Sequence, residues 1–222
     1  MDHDQLPCDT ETGLSSPMND SFRTRQEHLW HGDFGDDYTV RNTGALQSNL
    51  ALFAKILSRT DSVNSVIEFG SNIGLNLLAI DMLAPACRKT AVEINSFAVE
   101  QLHKFTGIEI FNESVLDFET DRQWDMVLTK GLLIHIDPEK LGVIYDKLFS
   151  CSMRFICLAE YYNPTPVTIS YRGFADHLFK RDFAGELLDR FPSLRLIDYG
   201  FCYHRDSNFP QDDITWFLLK KS

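Results

Sequence analysis

The residues best suited to chemistry gather around one short turn. Val66-Ile67-Glu68-Phe69-Gly70-Ser71-Asn72-Ile73-Gly74 leads from an apolar run into a segment of helical spacing. A glycine-bearing turn between strand and helix lets a ligand approach bare backbone at the helix N-terminus. A dinucleotide pyrophosphate needs a glycine where Asn72 stands, so the turn suits a nucleoside without phosphate. Glu93 lies 25 residues after Glu68, at the end of the next apolar run. A carboxylate in that place accepts both ribose hydroxyls; the duller alternative is a solvated glutamate at a helix entry.

Further candidates follow later strands. Lys130-Gly131-Leu132-Leu133-Ile134-His135 carries a histidine that titrates near neutrality and can act as a general base. A histidine amid Leu and Ile is more often a hydrogen-bonded core residue. Glu160-Tyr161-Tyr162-Asn163-Pro164-Thr165-Pro166 makes a rigid, polar-tipped loop, with Tyr171 and Arg172 just beyond. Arg172 can clamp a carboxylate or form a solvated basic turn. Trp30, Phe34 and Tyr38 offer aromatic faces that attract a cation and exclude water, or else anchor the segment hydrophobically.

These side chains need a framework, and apolar periodicity predicts one. Strands are expected at Ser65–Phe69, up to Glu93, at Ile108–Phe111, Asp125–Thr129 and Phe155–Glu160. Helices are expected at Gly74–Leu83, at Ser96–Lys104 with Ser96 as N-cap, and from Asp137 to Ser150 with Pro138 in the first turn. A last helix spans Asp182–Arg190. Alternating strands and helices mean an α/β fold with a mainly parallel sheet. Leu194–Tyr203 and Asp213–Leu219 are strand-like with nine residues between them, too few for a crossover helix, so they should pair antiparallel. Upstream, residues 1–20 lack periodicity and are expected to be a flexible arm. Residues 21–60 are expected to form an N-terminal helical lid, with helices at Ser21–Trp30 and Asn42–Ser58 joined by a loop from Trp30 to Tyr38. Residues 61–222 then make the α/β domain.

Composition excludes several classes. The chain has 222 residues, with 21 Lys and Arg against 32 Asp and Glu and a net charge of −11. That balance argues against a nucleic-acid partner, which needs concentrated positive charge. No apolar run approaches the roughly 20 residues of a membrane span. The acidic first residues are unlike a secretory leader, and the 5 cysteines form no CxxC pair. A reducing, cytoplasmic setting and a small-molecule substrate are expected. The histidines lack metal-ligand spacing, so no metal is expected.

A doubly wound sheet closed by a C-terminal antiparallel hairpin is similar to the Rossmann-like class I S-adenosylmethionine (SAM) methyltransferases. The Glu68–Gly74 turn resembles their acidic-x-Gly-x-Gly-x-Gly motif, with Asn72 at the middle glycine. Longer blocks resemble the pseudaminic acid biosynthesis-associated methylases. They include Trp30-x-Gly-x-Phe-Gly-Asp-x-Tyr38-x-x-Arg41-Asn42, Thr129-Lys-Gly-Leu-Leu-Ile-His135 and Ala159-Glu-Tyr-Tyr-Asn-Pro-Thr-Pro166. Tyr171-Arg-Gly173, Phe179-Lys-Arg-Asp-Phe-Ala-Gly-Glu186 and Phe209-Pro-Gln-Asp-Asp-Ile-Thr-Trp216 continue the likeness.

The resemblance implies SAM as cosubstrate. Tyr38, Arg41, Glu68, Gly70, Asn72, Gly74, Glu93, Ser114, Val115 and Lys130 are then its binding residues. Glu68 would lie near the methionine amine, and Ser114 stands where these enzymes present an Asp to adenine. His135, Tyr162 and Asn163 are the catalytic candidates, and Tyr161, Tyr171 and Arg172 the substrate contacts. The expected acceptor is a small polar metabolite, an amino- or carboxylate-bearing sugar or amino-acid derivative. Two alternatives stand beside methyl transfer: cyclisation of SAM to azetidine-2-carboxylate and methylthioadenosine, and a SAM-binding partner protein without catalysis. A nicotinamide dehydrogenase fits less well, given Asn72 and the antiparallel ending.

Overall fold

A strand covered on both faces needs apolar residues at consecutive positions. Ser65–Phe69 (β1) meets that demand and is buried along its whole length. In the computed structural model, which describes residues 22–41, 45–171 and 174–222, β1 is an interior strand of a seven-stranded sheet. The arm expected at 1–20 lies outside the described residues. β2 (Arg88–Val92), β3 (Ile108–Phe111), β4 (Trp124–Lys130) and β5 (Ser152–Glu160) run parallel to β1 in the order β3-β2-β1-β4-β5. β6 (Val167–Tyr171) and β7 (Phe174–Lys180) pair separately as an antiparallel hairpin. β8 (Leu194–Cys202) is the edge, and β9 (Ile214–Lys221) inserts between it and β5, antiparallel to both.

Alternation along the strands divides the core into two layers. Val66, Met126, Leu128, Phe155 and Cys157 meet Leu52, Phe53 and Ile56 of α3 (Leu46–Leu57) and Leu77 and Ile80 of α4 (Leu75–Leu83). Val99 and Leu102 of α5 (Ser96–Leu102) extend that layer. On the other face Ile67, Phe69, Val127, Ile156 and Leu158 pack on Ile144 and Leu148 of α6 (Leu141–Cys151) and Leu187 of α7 (Phe183–Arg190). Each fully buried aliphatic side chain contributes roughly 1.5–3 kcal/mol. Among the described residues no helix is long and apolar enough to cross a membrane.

Three local expectations need correction, and one segment without an expected element acquires two strands. Trp30 to Tyr38 is not a loop: α1 (Arg25–His31) and α2 (Asp33–Arg41) occupy it, broken at Gly32. α1 starts in a reciprocal capping box, in which the Glu27 carboxylate accepts from the Thr24 N–H at 2.8 Å and the Thr24 hydroxyl accepts from the Glu27 N–H at 3.1 Å. The N-cap of α5 is Asn95 rather than Ser96, its side chain accepting the Ala98 N–H at 2.7 Å. Pro138 opens a turn instead of a helix, and α6 begins at Leu141. Finally, the segment between β5 and α7 folds into the β6–β7 hairpin. Its apolar side chains alternate too loosely to announce a strand pair.

Candidate active site

The C-terminal ends of β1 to β5 open into a cavity of about 580 Å³. Crossing the sheet, its wall presents Ser114 and Val115 after β3, Glu93 after β2, Gly70 and Asn72 after β1, Lys130 on β4, then Glu160 and Tyr161 at the end of β5. Trp30, Gly35, Tyr38 and Thr39 of the α1–α2 segment form another side.

The turn after β1 is held by backbone geometry that side chains rarely allow. Gly70 and Gly74 have φ of 73° and 78°, and a Cβ on Gly74 would come within 2.4 Å of Leu102 Cδ2. Asn72 is also left-handed, at φ 46°, a conformation asparagine tolerates better than most residues. Its Oδ1 accepts the Ile73 N–H at 2.6 Å and the Thr39 hydroxyl at 3.3 Å. Asparagine therefore replaces the middle glycine without abandoning the turn.

Glu93 is fixed against this turn. One carboxylate oxygen accepts the Asn72 N–H at 2.7 Å and the other the Asn95 N–H at 2.8 Å. Each oxygen keeps a further lone pair, and the side chain borders the cavity. Burial pushes the Glu93 carboxyl above its ordinary range, with the Asn95, Asn72 and Ile94 backbone donors opposing. Glu68 and Gly74 lie behind the wall. Glu68 is fully buried, accepts from the Asn76 amide at 2.6 Å through Oε1, and has no partner for Oε2. Burial raises its pKa to about 8. Burial likewise lowers Lys130, while Glu68, Asp212, Cys202 and Glu160 oppose that shift.

At the β3 end the Ser114 hydroxyl donates to Glu27 of α1 and accepts the Leu116 N–H at 3.1 Å. One lone pair remains for a ligand, so the adenine contact expected of its hydroxyl is limited to acceptance. Arg23 reinforces this clamp through Asp117 at 2.6 Å. Asn95 ties down the other side: its amide donates to the Trp30 carbonyl at 3.0 Å and to Asp36 at 2.8 Å. α1 and α2 thus rest on the loops that carry Ser114 and Glu93.

At the β5 end His135 sits in a one-turn 3-10 helix, buried, with its ring 4.6 Å from that of Trp30. Tyr161 borders the cavity, with the Lys180 ammonium 4.9 Å from its ring centre. The structure does not bring Tyr162 or Asn163 to the cavity wall. Tyr162 pairs through its backbone with Arg181 and turns an exposed ring toward Phe217, at 5.9 Å. The Asn163 amide instead donates to the Thr165 carbonyl at 2.5 Å, closing the loop on itself. Arg172 lies outside the described residues, as do the side chains of Arg41 and Tyr171.

Three wall residues escaped the sequence reasoning. Glu27 was hidden in a region taken for an unremarkable helix, although Thr24-x-x-Glu27 is a capping signal. Gln211 bonds the Ser48 carbonyl of α3 at 3.2 Å, a contact spanning most of the chain. Glu160 ends β5 as Glu93 follows β2, and that shared position was the available signal.

No protein-family model and no curated protein sequence matches the chain, so the likeness to the pseudaminic acid-associated methylases gains no support there. Solved structures do match. The 1,6-didemethyltoxoflavin-N1-methyltransferase of Burkholderia thailandensis, with bound 1,6-didemethyltoxoflavin and S-adenosylhomocysteine, superposes with a TM-score of 0.64 at 14% identity, covering 88% of this chain and 85% of that one. A plantazolicin methyltransferase in complex with S-adenosylhomocysteine gives 0.63 at 12% identity, covering 88% and 94%. Coclaurine N-methyltransferase, bound to N-methylheliamine and S-adenosylhomocysteine, gives 0.63 at 10% identity, covering 90% and 80%. At these identities the likeness concerns architecture, and it agrees with the strand order above. The chain has the Rossmann-like fold of the class I SAM-dependent methyltransferases.

Proposed function

We propose that the protein is a SAM-dependent methyltransferase acting on a small molecule. The observation that carries this is Glu93, a carboxylate held by two backbone N–H groups beside a left-handed turn, on the wall of a cavity of about 580 Å³. A fixed carboxylate suits ribose hydroxyls and repels phosphate, which fits a phosphate-free nucleoside. The fold neighbours carry S-adenosylhomocysteine in the same architecture, which supports the choice.

Glu93 would then hold the ribose, Gly70 and Asn72 the turn beneath it, and Ser114 and Val115 the adenine end. Lys130, Tyr38 and Arg41 are assigned to the same ligand. The bound sulfonium supplies an electrophilic methyl group. Trp30 and Tyr38 roof the cavity and exclude water, and the wall fixes the acceptor in line, from which most of the acceleration comes. His135 and Tyr161 are retained on the acceptor side. A sugar-derived acceptor, which the pseudaminic acid likeness implies, and a cytoplasmic location belong to this proposal too.

Calorimetry with SAM tests the assignment: saturable binding is expected, and its absence would overturn it. Incubation with SAM alone separates methyl transfer from cyclisation. Intact SAM is expected without acceptor, and methylthioadenosine formed at enzymatic rates would favour cyclisation instead.

A further inference from the structure

The acceptor end of the cavity contains a carboxylate that the methyltransferase assignment leaves unused. Glu160 is 3% exposed, at the end of β5, and borders the cavity. Its Oε1 accepts the Leu132 and Leu133 N–H groups, each at 3.2 Å, so the side chain is aimed by backbone. Its Oε2 is buried and makes no hydrogen bond of ordinary geometry, the Thr129 hydroxyl of β4 being the one side-chain donor that acts on the carboxylate. Lys130, on the neighbouring strand, forms no ion pair with it among the described contacts. A carboxylate oxygen with at most one weak donor keeps acceptor capacity, and a charged donor on a ligand makes the stronger bond.

Position assigns this oxygen to the acceptor rather than to the nucleoside. Glu93 follows β2, and β1 and β4 stand between β2 and β5. At about 4.8 Å per strand, the end of β5 lies roughly 14 Å from that of β2. The wall charge points the same way. Glu27, Glu93, Glu113, Asp137, Glu160 and Asp212 line the cavity against a single lysine and no arginine among the described residues. Such a wall concentrates cations and repels carboxylates and phosphates.

We propose that Glu160 is the acceptor-side base and that the acceptor is an aliphatic amine. The amine enters as an ammonium, donates to the Glu160 carboxylate and passes one proton to it, which breaks an N–H bond and forms O–H. The freed lone pair then forms the N–CH3 bond while the methyl–sulfur bond breaks, its electron pair staying on sulfur. Burial raises the Glu160 carboxyl to about 7 against the Leu133, Thr129, Leu132 and Ile134 donors, a range suited to exchanging that proton near neutrality.

The proposal rests on the methyltransferase assignment, and the experiment separates the two. Wild-type protein is first titrated with S-adenosylhomocysteine; failure to bind would overturn the assignment, and the next step is then run on the apo protein. n-Butylamine, butan-1-ol and butanoate, alike in shape, are titrated next by ligand-detected NMR. The amine is expected to bind at least tenfold more tightly than either other probe. Equal affinities, no binding by any probe, or preference for the alcohol or the carboxylate would overturn the proposal. In Glu160→Gln the carbonyl still accepts the Leu132 and Leu133 N–H groups, and S-adenosylhomocysteine binding reports that the fold persists. The amine preference should fall to within twofold there, and a variant that keeps it refutes the role. If the glutamine variant does not fold, Glu160→Asp withdraws the carboxylate by one methylene. At least a threefold loss of amine affinity is expected, and unchanged affinity counts against the proposal.

Discussion

Removing the Glu93 carboxylate with Glu93→Ala tests the proposed nucleoside site most directly. Its two oxygens are held by Asn72 and Asn95 N–H groups and present their remaining lone pairs to the cavity. Two ribose hydroxyls donating to a charged acceptor contribute about 1.5 kcal/mol each. Their loss amounts to about 3 kcal/mol, or roughly 100-fold in Kd at 1.4 kcal/mol per decade. The same substitution strips two backbone donors of their acceptor, at about 1 kcal/mol apiece. For a chain of this size, that lowers Tm by about 4–8 °C. Calorimetric titration with SAM, well below the variant's Tm, reads the first effect without the second. A folded Glu93→Ala protein whose affinity stays within threefold of wild type would refute the ribose role. Because burial raises the Glu93 pKa and the carboxylate is the accepting form, SAM binding should strengthen as pH rises through that pKa.

Other consequences are as direct. Glu68 and Glu160 have folded pKa values of about 8 and about 7, above their unfolded value near 4.5. The native state then holds more protons than the unfolded chain between pH 4.5 and 7. Apo stability should therefore fall with rising pH by up to about 1.4 kcal/mol per unit for each group, and Glu68→Gln should flatten that slope in pH-dependent urea melts. An unchanged slope would mean that Glu68 is ionised in the folded protein. Gly74→Ala meets both a φ of 78° and Leu102 Cδ2 at 2.4 Å, so a Tm loss of about 4 °C or more is expected by calorimetry. Asn72→Gly keeps the turn and should leave SAM affinity within a few-fold; a tenfold loss would give the Asn72 side chain a direct role. We propose that α1 and α2 act as a lid over the nucleoside. SAM should then slow amide exchange in 25–41, and Trp30→Ala should weaken SAM binding about tenfold with little change in Tm. Exchange in that segment indifferent to SAM would exclude closure.

Much of this architecture was legible from local chemistry. β1 and β4 are recognisable because a parallel central strand must be apolar at consecutive positions, and Val66-Ile67 and Met126-Val127-Leu128 are. The short link before β9 forced an antiparallel ending, since no helix fits within it. Gly70, Asn72, Gly74 and Glu93 could be placed together because strand, turn and helix stand in one βαβ unit, where sequence spacing sets spatial distance. Tertiary structure decided everything that depends on distant segments meeting. Glu27 reaches Ser114 across 87 residues, and Asn95 reaches the Trp30 carbonyl across 65. Tyr161 borders the cavity while its neighbour Tyr162 turns toward Phe217, a choice made by the partner strand rather than by the dipeptide. Glu160 looked in sequence like the polar end of a strand. Its aim is set by the Leu132 and Leu133 N–H groups and the Thr129 hydroxyl, which only the folded chain brings to it. Periodicity and spacing act within a few residues, whereas desolvation and the pairing of buried polar atoms are properties of the closed chain.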